Sequence, residues 1–196
     1  MEQKMAAQEK NFKGIILVGP KHSGKTSTGK ALANLLSGTF IDLDDEIALH
    51  SGQTPRALYR QSAELFRATE LESTRKLVER INVEHKKGLG AFYIIATGGG
   101  IVDNPEAIEL LKQIGTLVFL DLSTKTAWDR IVKAAERTGE LPPFLKTENP
   151  AETHRLLHER RSAAYRKLAD IIIDAEIDSP EQRAKEIVHL ISNKIP

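Results

Sequence analysis

Gly19, Gly24, Lys25 and Thr26 follow the order glycine, any four residues, glycine, lysine, threonine, inside the stretch GIILVGPKHSGKTSTGK that runs from residue 14 to 30. Each type stands where the binding of a polyphosphate needs it. The glycines let the backbone curl so that several N–H groups point at one anionic centre, and a helix starting there adds the positive end of its dipole to the same point. Lys25 would reach the β- and γ-phosphates as a point charge, and the Thr26 hydroxyl would hold a Mg²⁺ that bridges them. Ser23 and Ser27, inside and just after the loop, belong to the same nucleotide-binding set. A Gly/Ser-rich surface turn could carry the same letters with Lys25 solvated, so the flanking elements must decide.

They favour the phosphate loop. Ile15, Ile16, Leu17 and Val18 form a continuous apolar run rich in branched side chains, as in a strand buried on both faces of a parallel sheet. After the loop, Ala31, Leu32, Leu35 and Leu36 recur at helical spacing, and Gly38 is placed to stop that helix. Strand, loop and helix in this order are the context the motif requires.

Carboxylates come next. Thr39 to Leu43 reads as a second strand ending in Asp42-Leu43-Asp44-Asp45, and the carboxyl ends of strands in an open α/β sheet are where ligands bind. The plainer role for Asp44 or Asp45 is to cap the helix that follows. Thr54-Pro55 starts another helix as N-cap and first helical residue. From Ala63 to about Lys87 apolar residues alternate with charges over a long helical span, where Glu64, Arg67 and Glu70 lie three apart on one face. By spacing alone that triplet is a set of solvated pairs worth ~0.2–0.5 kcal/mol each.

Phe92 to Thr97 is a third strand, and Gly98, Gly99 and Gly100 follow it directly. Three glycines add backbone entropy to be lost on folding, so their use is close approach of backbone to a ligand, or else a flexible loop. Asn104-Pro105 opens a helix, Thr116 to Asp121 is a fourth strand, and Ser123 caps a helix carrying Trp128 and Arg130. Residues 137–150 break every periodic pattern and read as a lid. Asn149-Pro150 restarts a helix, Asp170 to Asp174 is the fifth strand, and Ser179-Pro180-Glu181-Gln182 carries a capping box. His154 and His158 are four apart and could share a metal, but no third ligand accompanies them.

Five strands alternating with helices predict a five-stranded parallel sheet with helices on both faces. At 196 residues the chain suits one domain. Residues 1–12 hold few apolar groups and read as a mobile arm. Lys plus Arg is 28 against 27 for Asp plus Glu, so no overall basic field recruits nucleic acid or anionic lipid. There is no cysteine, hence no disulfide, thiolate metal site or cysteine nucleophile. No apolar run approaches a membrane span and the N-terminus lacks a signal-peptide core, so a cytoplasmic monomer is expected, with no nucleic-acid or membrane partner.

Taken together, GPKHSGKT, FIDLDDEI, ELFRATE, ATGGGIV and RRSAAYRKLAD, in that order and from about residue 13 to 194, resemble the shikimate kinases. The resemblance implies a P-loop kinase core, with substrate-binding helices in residues 44–87 and a lid, that moves the γ-phosphate of ATP to a hydroxyl of shikimate. It implies that Asp44 contacts the acceptor hydroxyls and orients or deprotonates them, and that Asp42 supports Mg²⁺. It matches Arg67 and Arg161 to the pair that binds the acceptor carboxylate, Glu70 to the acid that holds Arg67, and Gly98 to Gly100 to the backbone that closes over the ring. The adenine clamp falls to Arg130 and Pro180. Lys25, Asp44 and Arg67 form the catalytic set. One implied part is missing: family members carry Arg-Pro-Leu-Leu in the lid, and here the stretch is Pro142-Pro143-Phe144-Leu145. Arg137 or Lys146 would have to replace that arginine. Ala63 also stands where the family has glycine. The alternatives are a kinase for another small hydroxylated acid and a kinase-like module that binds without turnover.

Overall fold

The computed structural model describes residues 13–176 and 179–193, so the expected arm at residues 1–12 lies outside it. Five strands, β1 (Gly14–Val18), β2 (Thr39–Asp42), β3 (Tyr93–Ala96), β4 (Gly115–Asp121) and β5 (Ile171–Asp174), form one parallel sheet in the order β2-β3-β1-β4-β5. The predicted fold class is the observed one. Around the sheet run α1 (Lys25–Leu36), α2 (Leu43–Ser51), α3 (Pro55–Gln61), α4 (Ala63–Lys86), α5 (Pro105–Lys112), α6 (Thr124–Thr138), α7 (Pro150–Leu168) and α8 (Pro180–Ser192).

Alternation along the central strand divides the core. Ile16 and Val18 of β1 face a cluster with Leu43, Leu58, Leu77, Ile81, Ile108 and Tyr165. Ile15 and Leu17 face the opposite cluster, with Leu32, Ala127, Ala184 and Ile187. Both faces are therefore buried, which is why β1 is an unbroken apolar run.

Because β1 is central, the loop that leaves its carboxyl end opens between β3 and β4, where an α/β sheet places its ligand crevice. Several helix starts fall where capping residues predicted them. Thr54, Ser123, Asn149 and Ser179 accept from first-turn N–H groups, the Ser179–Gln182 capping box is complete, and Ser62, which the sequence reading did not single out, caps α4 in the same way.

Three local expectations are corrected. Ser37, not Gly38, takes the left-handed position ending α1, with φ 51°. Gly38 is required for space instead, since a Cβ there would come within 2.7 Å of the Phe92 carbonyl oxygen. The cap of α2 is Asp42, whose carboxylate accepts from the Asp44 N–H at 3.1 Å, which leaves Asp44 and Asp45 free of that task. Finally, the irregular lid is shorter than expected: α6 continues through Thr138 and stops at Gly139, φ 78°, so Arg137 lies on a helix.

Candidate active site

The phosphate loop leaves β1 at Gly19, φ 144°, and delivers the chain to α1 through Gly24, φ 92°. Lys25 folds back over the loop and donates to the carbonyls of Gly19 (3.0 Å) and Pro20 (2.8 Å). It is nearly inaccessible, and burial, opposed by Asp44 and Asp42 and aided by Lys21, lowers its pKa to about 8. The loop is braced from behind by Arg183 of α8. Its Nε donates to Thr28 at 3.1 Å, and its guanidinium would lie 2.9 Å from a Cβ on Gly24. Nothing in the sequence singled out Arg183, because its capping-box helix reads as an ordinary surface element.

A cavity of about 730 Å³ opens over this loop, lined by Gly24, Lys25, Thr26, Ser27, Arg130, Lys133, Arg137, Asp42 and other loop residues. Thr26 donates to Asp42 at 3.0 Å, which brings the two expected Mg²⁺ ligands together at the edge of the cavity. Arg130 donates to the carbonyls of His22 (2.9 Å) and Ala175 (3.5 Å), spanning the loop and the end of β5. Three expected nucleotide contacts do not line this cavity among the described residues. Gly19 is packed beneath the loop, where a Cβ would approach the Leu120 carbonyl to 2.6 Å. Ser23 is fully buried with no partner for its hydroxyl, and Pro180 serves as the first residue of α8.

A second cavity, about 290 Å³, lies beside the first and is lined by Asp44, Tyr59, Phe66, Gly98, Gly99, Gly100, Arg161 and the lid residues Pro142, Pro143 and Phe144. Lys21, His22, Asp44, Gly98 and Gly99 line both. Asp44 therefore stands at the junction. Burial first, then the neighbouring Asp42, pushes its carboxyl above the usual range, while Lys25 and Lys21 pull the other way.

The three glycines prove to be packed against protein. A Cβ on Gly98 would meet Asp44 Oδ1 at 3.2 Å, on Gly99 the Lys21 backbone nitrogen at 2.8 Å, and on Gly100 the Arg161 guanidinium at 3.0 Å. They let the β3 end press against the phosphate loop and the arginine at once, so the expected close approach is made first to backbone and side chains. Tyr165, buried and stacked on Phe119 at 5.3 Å, ties this loop to α7 by donating to the Gly99 carbonyl (3.3 Å) and accepting from the Val102 N–H (3.4 Å).

The expected partner of Arg67 is also corrected. Glu70 is buried and accepts from Asn104 Nδ2 at 3.0 Å, and the same amide donates to the Arg67 carbonyl at 2.9 Å. Burial pushes the Glu70 carboxyl up to about 7, reinforced by Asp44 and offset in part by Asn104 and the two arginines. Arg67 pairs instead with Asp103, in a 3₁₀ turn after the glycines. Asp103 Oδ2 accepts from Arg67 Nη2 (3.2 Å) and from Arg161 Nε (2.9 Å) and Nη2 (2.7 Å), and Oδ1 accepts from Arg160 (2.7 Å). Burial works against this carboxylate, but Arg161 and Arg160 outweigh it and hold its pKa below the ordinary value. Asn104-Pro105 looked like a helix start in the sequence, which hid the role of Asn104, and no spacing singled out Asp103.

His22 is a further residue that sequence reasoning passed over. It adopts φ 62°, unusual for a non-glycine residue and a mark of functional sites, and lines both cavities. Burial, followed by Lys21, Lys25, Arg137 and Arg130, lowers its pKa to about 4.

The lid is docked. Glu140 pairs with Arg56, Arg60 and Lys146, Arg56 donates to the Leu141 carbonyl at 3.1 Å, and the Phe144 ring lies 5.7 Å from the Arg161 guanidinium carbon. Lys146 is thus committed to Glu140, whereas Arg137 lines the phosphate cavity with no hydrogen bond or ion pair among the described residues. His154 and His158 turn inward, with the His154 ring tilted against both His158 and Trp128 at 5.4 Å, and no group of three or more histidines and carboxylates that could hold a metal occurs among the described residues. No described helix is long and apolar enough to cross a membrane.

Comparison with known proteins places the chain in a family. The family model for shikimate kinase matches residues 21–192. The chain belongs to the shikimate kinase family. A shikimate kinase of Sulfurihydrogenibium sp. (strain YO3AOP1) is 36% identical over 183 residues, covering 93% of this chain and 100% of the relative. Among solved structures, the shikimate kinase from Acinetobacter baumannii in complex with shikimate superposes with a TM-score of 0.79 at 31% identity, covering 95% of this chain and 97% of that one. The Aquifex aeolicus shikimate kinase gives 0.70 at 28% identity, covering 93% and 98%.

Proposed function

We propose that this protein transfers the γ-phosphoryl group of ATP to a hydroxyl of shikimate. The observation that carries the reading is the junction: Asp44, Gly98 and Gly99 line both the phosphate-loop cavity and the smaller cavity that ends in Arg161. A donor in one and an acceptor in the other would meet at Asp44. The acceptor oxygen attacks the γ-phosphorus, its proton passes to an Asp44 carboxylate oxygen, and the bond from the γ-phosphorus to the β-bridging oxygen breaks to release ADP. A carboxyl whose proton affinity is raised by burial suits that task better than a solvated one.

The remaining roles follow from charge. Lys25 and the loop N–H groups take the β- and γ-phosphates, and Arg161 with Arg67 takes the acceptor carboxylate, for which a planar guanidinium is better matched than an ammonium. Thr26 and Asp42 offer a hydroxyl and a carboxylate oxygen at one point, the hard donor set that suits Mg²⁺ with several waters retained. Bound there, the ion would offset phosphate charge. Arg137 supplies the positive charge that Pro142 cannot, since it lines the phosphate cavity with no ion pair among the described residues while Lys146 is held by Glu140.

The test is ADP release with Mg²⁺ and ATP over a panel of acceptors. Turnover with shikimate, none with gluconate or nucleoside monophosphates, and its loss in Asp44→Asn support the reading. Nucleotide binding without acceptor-dependent turnover would overturn it in favour of a binding module.

A further inference from the structure

Two positive groups meet at one point behind the acceptor cavity. Arg67 Nη2 and Arg161 Nη2 both reach Asp103 Oδ2, at 3.2 and 2.7 Å, and Arg160 holds the other oxygen at 2.7 Å. The side chain of Asp103 is only 7% exposed, so these are screened little by water. Without an anion between them, the guanidinium groups would repel and separate. Glu70 acts on the two arginines only from a distance, since it forms no ion pair with either among the described residues and its Oε2 accepts from Asn104.

We propose that Asp103 is a positioning residue that holds Arg67 and Arg161 converged before the acceptor arrives, and so sets the affinity for the acceptor carboxylate. This rests on the reading that the acceptor carries a carboxylate. Arg161 spends its Nε edge and one Nη2 proton on Asp103, which leaves the Nη1 end of the fork for a ligand in the cavity it lines. Charge also leaves room: three arginines against one aspartate give the cluster a net +2, enough for one more carboxylate. The turn itself is anchored. Asp103 N–H donates to the Gly100 carbonyl at 2.9 Å, and the adjacent Asn104 side chain clasps Arg67 and Glu70. A carboxylate fixed in this way links the glycine loop, α4 and α7 at the place where all three border the acceptor cavity.

An internal carboxylate on the clamp could instead compete with the acceptor, and the two roles predict opposite signs. Steady-state kinetics of wild type, Asp103→Asn, Asp103→Ala and Asp103→Glu should be measured with shikimate and with its primary carboxamide analogue. Positioning predicts an acceptor KM raised about ten- to hundredfold in the Asn and Ala variants, the scale of a charge-assisted hydrogen bond. The KM for ATP and kcat should stay within about threefold, and Asp103→Glu should restore part of the loss. With the carboxamide the variants should match wild type within about threefold, since the full charge that the converged forks recognise is absent. In an Arg67→Ala background, Asp103→Ala should add little, because the two act as one unit. An unchanged or lowered acceptor KM in both Asn and Ala variants would overturn the proposal, as would equal losses for ATP and acceptor. The ATP KM and the circular dichroism of Asp103→Asn, which is nearly isosteric, report folding in the same samples. Failure of the underlying reading shows in the wild type alone, as indifference to replacement of the acceptor carboxylate.

Discussion

Lys25 makes nucleotide binding a proton-coupled event at alkaline pH. In the empty protein its ammonium is buried against the Gly19 and Pro20 carbonyls, and burial lowers its pKa from 10.5 to about 8. A polyphosphate seated in the loop would favour the charged form and return the pKa to its ordinary value or above. The empty state therefore loses its proton first as pH rises, and affinity, complete below pH 8, falls as pH climbs above it. At pH 9, one unit above the empty-state value, about nine-tenths of the free protein has a neutral Lys25 while the bound form keeps its proton. Binding should then take up about 0.9 proton and be weakened about tenfold, or about 1.4 kcal/mol. Titration calorimetry of a non-hydrolysable ATP analogue at pH 9, in two buffers of different ionisation enthalpy, reads the uptake directly. His22, already near 4, is neutral at that pH in the empty protein and does not contribute there. In Lys25→Arg, whose guanidinium keeps its proton, the buffer dependence should vanish. A wild type with no buffer dependence at pH 9, or a variant with the same dependence, would refute the assignment.

Arg67→Ala or Arg161→Ala should weaken acceptor binding by about 1.5–3 kcal/mol with ATP affinity unchanged, read as separate KM values. Equal losses for both substrates would contradict it. Arg137→Ala should lower kcat by several hundredfold or more, the scale of an arginine over a transferring phosphoryl group, and Lys146→Ala should leave kcat near wild type. Brisk turnover in both variants would show that no lid charge is needed. Burial raises the Glu70 carboxyl from 4.5 to about 7, so the folded state binds more protons between those values. The contribution of Glu70 to stability is then greatest below pH 4.5, falls by up to about 3 kcal/mol as pH rises through 7, and levels off above. Glu70→Gln should lack that slope, and melting curves of the two proteins at pH 5 and pH 8 that shift in parallel would show it is not due to Glu70.

The fold was legible because each buried strand is a short apolar run ended by glycine, proline or a capping residue, and the phosphate loop carries its own spacing rule. What stayed hidden depended on contacts distant in the chain. Asp103 is separated from Arg67 by 36 residues and from Arg161 by 58, so no local spacing pointed to it, and the family resemblance named Glu70 as the acid that holds Arg67. Asn104 read as a cap because Asn-Pro is a helix start, yet its side chain is spent on Arg67 and Glu70. The glycine triplet announced close approach without revealing that the neighbour was the phosphate loop itself. Arg137 was assigned to an irregular lid because Gly139 and the prolines that follow dominate that stretch, while α6 runs one residue past it.

The central claim is that a phosphoryl group crosses the junction at Asp44 from nucleotide to acceptor. Phosphorus NMR of one reaction containing ATP, Mg²⁺ and shikimate tests this most directly. A new phosphomonoester resonance, split by the proton on the esterified carbon and growing one-to-one with ADP, is the predicted result, and it should be absent in Asp44→Asn. ADP accompanied only by inorganic phosphate, or an unchanged ATP spectrum with nucleotide demonstrably bound, would contradict it.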